Sequence, residues 1–223
     1  VVWEKTPRKK PQPIDNISLD YDFNFLMVSQ MGPRKNFENA LKWWVEELVD
    51  QEVGLVVKTN FRNNSIMDWE YLEKTVSSWV GKYKDRKCKI YLLHGDLHSS
   101  QMTWLYNHDK VKALINIAHG EGFGLPMFEA AREALPIITV GWGGQVDFLR
   151  HEDKDYFQPV EFMIATVDSE AVWDGVIQKE CKWAYADQGS YKMALRKTYK
   201  NWDTASEIAT QLQEIINDKF SDE

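Results

Sequence analysis

Two carboxylates eight positions apart, Glu121 and Glu129, bracket three glycines on alternate positions, Gly120, Gly122 and Gly124. Within INIAHGEGFGLPMFEAA, residues 115–131, the pattern predicts a strand ending at Ala118, a glycine turn, and a helix opened by Pro126. Glycines at such a turn let backbone approach a ligand closely. The helix start adds unpaired N–H groups at a positive dipole end, so the loop suits a phosphate. Carboxylates repel phosphate, so Glu121 and Glu129 are expected to hold uncharged groups on either side of it, sugar hydroxyls above all. The same residues also fit an ordinary glycine-rich turn, with Glu121 solvated and Glu129 on a wet helix face. The loop is not a dinucleotide fingerprint: Leu125 stands where the third glycine belongs, and the loop follows the fourth strand rather than the first. No G-K-[ST] run exists, which excludes a Walker-type loop.

Two other junctions carry chemistry. In SQMGPRKN, residues 29–36, Arg34 and Lys35 are placed at a helix start, where cations oppose the dipole. An anion that they must meet explains that placement; a plain surface pair is the alternative. In GWGGQVDFL, residues 141–149, Gly143 and Gly144 permit close backbone approach while Gln145 and Asp147 supply polar reach, unless this is a simple glycine turn. Trp142 lies in the same loop. His119 either lines a sugar pocket or is a structural loop histidine. His94 and His98 flank Asp96, but Gly95 and the strand-to-loop context spoil a helical metal site, and no metal is expected. Cys88 and Cys181 have no base or metal partner in view.

The elements that position these residues alternate. Apolar runs at Phe25–Ser29, Val53–Lys58, Lys89–Leu93, Ala113–Ala118 and Pro136–Val140 are hydrophobic on successive residues, as strands covered on both faces require. Between them, Phe37, Leu41, Trp44, Val45, Leu48 and Val49 form one helical stripe, and Trp69, Leu72, Val76, Trp79, Val80 and Tyr83 another. Shorter helices are predicted from Ser99 or Ser100 to Tyr106, and from Pro126 to Leu135. This order implies right-handed crossovers and an α/β fold, a Rossmann-like doubly wound parallel sheet, with ligands outside the carboxyl ends of the strands. Phe162–Ala165 is predicted as one more strand, and two helices, near Gly189–Lys200 and Trp202–Asp218, close the chain. The expected organisation is a lead-in over residues 1–22, one Rossmann-like ligand-binding domain over 23–218, and a tail over 219–223. The first twenty residues read as a linker or a surface-hugging lead-in, and the basic cluster Arg8, Lys9 and Lys10 between Pro7, Pro11 and Pro13 is expected to be a solvated segment rather than a recognition element.

Composition narrows the classes. The chain has 223 residues, between one large domain and two small ones. A net charge of -7 argues against general nucleic-acid binding. No apolar run is long enough to span a bilayer, and the N-terminus lacks the apolar stretch of a secretory signal. Two cysteines are too few for a disulfide framework, so a cytoplasmic setting is expected.

EGFGLPMFEAA, followed by a Pro-led strand and a Gly-Gly loop, resembles the Glu-x7-Glu signature of retaining glycosyltransferases of family 4, whose GT-B architecture sets two Rossmann-like domains across a cleft. FLMVSQMGPRKN resembles the first strand of their second, donor-binding domain with its Arg-Lys turn. LLHGDLHSSQMTWLY resembles their glycine-centred strand and short helix, and NWDTASEIATQL their Trp-led final helix. The resemblance spans roughly Phe23 to Ile216 and implies a nucleoside diphosphate sugar as donor. It implies that Glu129 binds the donor ribose, that Glu121 lies beside the donor sugar, and that backbone of Gly122, Phe123, Gly124 and Leu125 holds sugar and diphosphate. It further implies that Lys35, with Arg34, neutralises the departing diphosphate. Backbone from Gly95 to Leu97 would face the base, Gly144 and Gln145 would complete the donor site, and no metal or cofactor would be needed.

Two departures qualify it. Gln30 stands where the family usually has an arginine, which removes one diphosphate contact unless Arg34 substitutes. The N-terminal acceptor domain of a GT-B enzyme is also absent from this sequence, so half of the active site is expected to lie in the same parent chain or in a separate one. Any peripheral membrane attachment would come through that half. The expected function is transfer of a hexose-type unit to an acceptor hydroxyl with retention of configuration. The alternatives are a non-catalytic nucleotide or nucleotide-sugar binding module and, more remotely, another GT-B enzyme such as a sugar epimerase.

Overall fold

A computed structural model describes residues 10–15 and 17–220. Pro7, Arg8 and Lys9 of the basic lead-in and residues 221–223 of the tail lie outside the described residues. Five βα repeats lead the fold: β1 (Asn24–Val28), α1 (Phe37–Leu48), β2 (Gly54–Thr59), α2 (Ile66–Val80), β3 (Lys89–His94), α3 (Ser99–Tyr106), β4 (Val111–Asn116), α4 (Leu125–Arg132), β5 (Ile137–Val140) and the single turn α5 (Val146–Leu149). A two-residue hairpin, β6 (Arg150–His151) and β7 (Lys154–Asp155), precedes β8 (Gln158–Val160), β9 (Phe162–Thr166), β10 (Lys182–Ala186), α6 (Gln188–Lys200) and α7 (Trp202–Lys219).

The main sheet has the order β3-β2-β1-β4-β5-β8, with every pair parallel. Its strands are apolar on successive residues because both faces are covered. Phe25, Met27, Leu55, Val57 and Ile115 face the layer of α1, α2 and α6, where Leu41, Trp44, Leu72 and Tyr191 are buried. Leu26, Val56, Leu114 and Ile137 face the layer of α3, α4 and α7, where Tyr106, Met127, Phe128, Leu212 and Ile216 are buried. Trp44 is fully buried, edge-on to Phe25 at 6.2 Å. The indole of Trp202 donates to the Lys112 carbonyl at 2.9 Å and fixes the start of α7 on the sheet. The described part of the lead-in packs on the domain: Leu19 is buried, Ile14 and Ile17 pack on the second core cluster, and the Gln12 backbone amide donates to the Ser100 carbonyl at 3.1 Å.

The strand predicted at Phe162–Ala165 exists but leaves the main sheet. It pairs antiparallel with β10, and the sixth strand of the sheet is β8, which the sequence did not announce. β8 is only three residues long and contains Pro159, so it carries little apolar alternation. Met163 and Ile164 of β9 are exposed, off the core. β4 stops two residues before the predicted end at Ala118. The Asn116 side chain accepts the Ala118 amide at 2.9 Å and turns the chain there. No described helix is long and apolar enough to cross a membrane.

Replacing Trp44 by alanine removes the largest side chain of the α1–sheet contact. A loss of about 3–5 kcal/mol is expected, read as a lower denaturation midpoint at unchanged slope.

Candidate functional site

Strand order reverses between β1 and β4, and at such a switch point the following loops diverge and leave a crevice. The loop after β1 ends in a single 3-10 turn, Pro33–Lys35, followed by Asn36 at φ 51°. Asparagine tolerates that left-handed conformation. The basic pair therefore precedes α1 rather than occupying its first turn, which corrects the expectation that it opposes that helix's dipole. The loop after β4 carries the glycines and Glu121.

These two loops are clasped together. The Asn36 side chain donates to the Ile117 carbonyl at 3.1 Å, and the His119 amide donates to the Arg34 carbonyl at 2.8 Å. Lys35 Nζ lies 2.6 and 2.9 Å from the two oxygens of Glu121. The Arg34 guanidinium donates to Glu121 at 3.2 Å and to the Gly120 carbonyl, and the Asn116 amide donates to Glu121 at 3.0 Å. The Glu121 side chain is 7% exposed. Burial pushes its pKa up, but hydrogen bonds from Lys35 and Asn116 and the charges of Lys35 and Arg34 outweigh it and hold the carboxyl below the ordinary glutamate range. The anion that explains the placement of Arg34 and Lys35 is thus, in this structure, one of the protein's own. Both cations keep unused donors, since an ammonium has three N–H groups and a guanidinium five.

Glu129 lies on α4, whose first N–H groups have no intrahelical acceptor. Its Oε2 accepts a hydrogen bond from the Tyr106 phenol at 3.0 Å. Tyr106 is 2% exposed, at the end of α3. Burial raises the Glu129 pKa, and the Tyr106 hydrogen bond and Arg132 charge only partly offset this. The wet-face alternative is therefore wrong for Glu129, and the solvated alternative is wrong for Glu121.

Gly122 is exposed, with open space where a side chain would project. The Phe123 ring packs on Phe128 and Phe148, Gly124 precedes α4 at φ 84°, and Leu125 is exposed. Gly95, at φ 96°, donates to the Thr59 carbonyl at 3.3 Å, and Leu97 rests on the second core cluster at the same end of the sheet. The third loop is a buttress. The Gly144 amide donates to the Glu121 carbonyl at 2.9 Å, and a Cβ on Gly144 would come within 1.9 Å of the Gly122 carbonyl oxygen. Its glycine serves loop-on-loop packing. Gln145, expected to reach outward, is 1% exposed, with its amide donating to the Val140 and Trp142 carbonyls at 3.2 and 2.8 Å. Trp142 covers Gly120.

His119 is 7% exposed and anchors β10: its Nδ1 is 2.8 Å from the Ala184 carbonyl, and its ring stacks on Trp183 at 5.1 Å. Beyond it, a cleft of about 450 Å³ opens between the 30–35 turn and the segment from Trp173 to Trp183, with Trp173 66% exposed. His94 Nε2 is 2.9 Å from Asp68, which also accepts the Phe61 and Arg62 amides. Among the described residues, no group of three His, Cys, Asp or Glu side chains is arranged to hold a metal ion. Sequence reasoning missed Tyr106, Asn116 and the 167–183 segment. The first two read as ordinary ends of periodic elements, and the third has no periodicity.

No family model matches the chain, and no curated protein does. Solved structures do. One is the C-terminal domain of a group 1 family glycosyl transferase (LpcC) from Francisella tularensis, at 14% identity and TM-score 0.62, over 90% of this chain and 87% of that one. Another is sucrose-phosphate synthase from Thermosynechococcus elongatus, at 15% identity and TM-score 0.61, over 92% of this chain and 44% of that one. A third is HepE from Anabaena in complex with UDP and glucose, at 12% identity and TM-score 0.58, over 89% of this chain and 44% of that one. The fold matches the C-terminal domains of GT-B glycosyltransferases. The chain spans under half the length of the last two proteins.

The two carboxylates separate by their effect on stability. A native pKa below the unfolded one stabilises the fold above the unfolded pKa, and the contribution fades as pH falls through the native value; a raised native pKa does the reverse. At pH 7, Glu121→Gln is expected to lower stability by about 2 kcal/mol, whereas Glu129→Gln leaves it unchanged or raises it. The wild-type advantage over Glu121→Gln closes below about pH 4, the ordinary glutamate range. Thermal unfolding of the three proteins from pH 3 to 8 checks both signs.

Proposed function

We propose that this chain is the donor-binding domain of a retaining glycosyltransferase of the family 4 type, acting on a nucleoside diphosphate sugar. The observation that carries it is a pair of buried carboxylates flanking a glycine loop and a helix N-terminus at the switch point of a GT-B-like sheet, with two cations facing one of them. Support also comes from HepE, a neighbour of the same fold described with UDP and glucose.

In this reading Glu129, already holding one phenolic donor, accepts ribose hydroxyls. Glu121 accepts hydroxyls of the donor sugar, and backbone from Gly122 to Leu125 lies along sugar and diphosphate. Lys35 keeps one ammonium donor for a diphosphate oxygen, and Arg34 supplies a second positive charge. As the bond from the anomeric carbon to the diphosphate oxygen breaks, negative charge grows on that oxygen, where fixed cations stabilise the transition state more than the ground state. The acceptor hydroxyl oxygen forms the new bond on the same face, its proton passing to the departing oxygen. Charge neutralisation by side chains and helix dipole leaves no step that calls for a metal. The acceptor site would come from a second domain, in the same or another chain. A second reading, a nucleotide-binding module without transfer, draws support from Gln30: it is neutral, and its amide donates to the Phe61 carbonyl at 2.9 Å.

Calorimetric titration with UDP, GDP and ADP should give saturable binding of at least one, and Glu129→Ala should weaken it tenfold or more, since hydrogen bonds to a charged group are worth about 1.5–3 kcal/mol. Binding unchanged by the substitution removes Glu129 from the donor site. Binding without turnover, once a partner domain is supplied, favours the second reading.

A further inference from the structure

Lys58 is the penultimate residue of β2 and plays no part in the site described above. Its register partners are Val28 of β1 and Leu93 of β3. Paired residues in a parallel ladder project to the same face, and residues two apart on a strand share a face. Val56 and Tyr106 belong to the second core cluster, and the partly buried Val28, Leu93, Leu97 and Phe123 pack against it. Lys58 therefore ends the face that α3 and α4 cover, at the carboxyl edge of the sheet. Its neighbours along that edge are Ser29, whose amide donates to the Lys58 carbonyl at 3.1 Å, and the Gly95 turn, which bonds to Thr59.

The side chain is half-buried, and among the described residues no carboxylate or hydrogen-bond acceptor meets its ammonium. Burial pushes its pKa down, and the charge of Asp96 offsets this only in part. Asp96 is exposed, and its carboxylate takes the Asn64 amide at 2.7 Å. A desolvated cation without a partner opposes folding, and an aliphatic residue at the same point of the strand would not. Meanwhile Arg34 and Lys35 are both turned to Glu121, and Gln30 is neutral.

We infer that Lys58 is a donor-binding residue whose ammonium meets a phosphate of the nucleotide, between the Gly95 turn and the Glu121 loop. This rests on the donor-site reading above. A phosphate arriving over β2 supplies the missing counter-charge. It also stands in for the diphosphate contact that Gln30 does not make.

Lys58→Met and Lys58→Arg separate this from a structural role. Affinity for the best-bound of UDP, GDP and ADP is measured by calorimetry, and that for the corresponding nucleoside by ligand-observed NMR. Lys58→Met is expected to lose tenfold or more for the diphosphate and nothing for the nucleoside, to melt at the same or a higher temperature without ligand, and to be rescued by Lys58→Arg. Undiminished diphosphate affinity in Lys58→Met, or an equal loss for nucleoside and diphosphate, overturns the inference. If the wild-type protein binds none of the diphosphates, the donor-site reading fails first and carries this one with it.

Discussion

The buried carboxylate of Glu121 organises this end of the molecule. A desolvated anion requires cations and hydrogen-bond donors around it, and three residues from two places supply them: Lys35 and Arg34 after β1, and Asn116 at the end of β4. Meeting that need draws two βα turns together across the switch point. Once drawn, they lock through the His119 amide on the Arg34 carbonyl and the Asn36 side chain on the Ile117 carbonyl, and the Gly144 amide of the third loop holds the Glu121 carbonyl. The glycine loop is thus held in place by the protein's own charges and backbone hydrogen bonds.

The second carboxylate follows the opposite logic. Glu129 is desolvated with a neutral phenol as its hydrogen-bond donor, so burial raises its pKa. Lys58 repeats that logic with the other sign. Groups left partly uncompensated at the carboxyl edge of the strands cost stability and leave capacity for an incoming ligand, a trade common at binding sites. Glu121 is the exception: the fold has already compensated it, and a diphosphate would have to share its cations.

Much of the architecture was legible in the sequence. Five strands and the four helices between them showed as apolar runs, helical stripes and helix-start residues, and their bounds moved by only a few residues; the single turn α5, in what read as a glycine loop, did not show. The carboxylates and the glycine loop were legible through residue type and spacing. The β9–β10 hairpin was not, because its pairing is antiparallel, its exposed residues include Met163, Ile164 and Trp173, and the segment between the strands has no period. Nor was the inward turn of Gln145, a polar residue whose direction is set by the carbonyls of Val140 and Trp142.

The sequence by itself determined the layered α/β architecture and the residue types at the head of the crevice, because periodicity and glycine placement are local properties of the chain. Only the tertiary structure decided which charge meets which. Lys35 and Glu121 are 86 residues apart, and Tyr106 and Glu129 are 23. Nothing in local spacing says that the first carboxylate would be neutralised within the protein and the second left to a phenol. That outcome depends on how the loops fold over one another and on how much water they exclude.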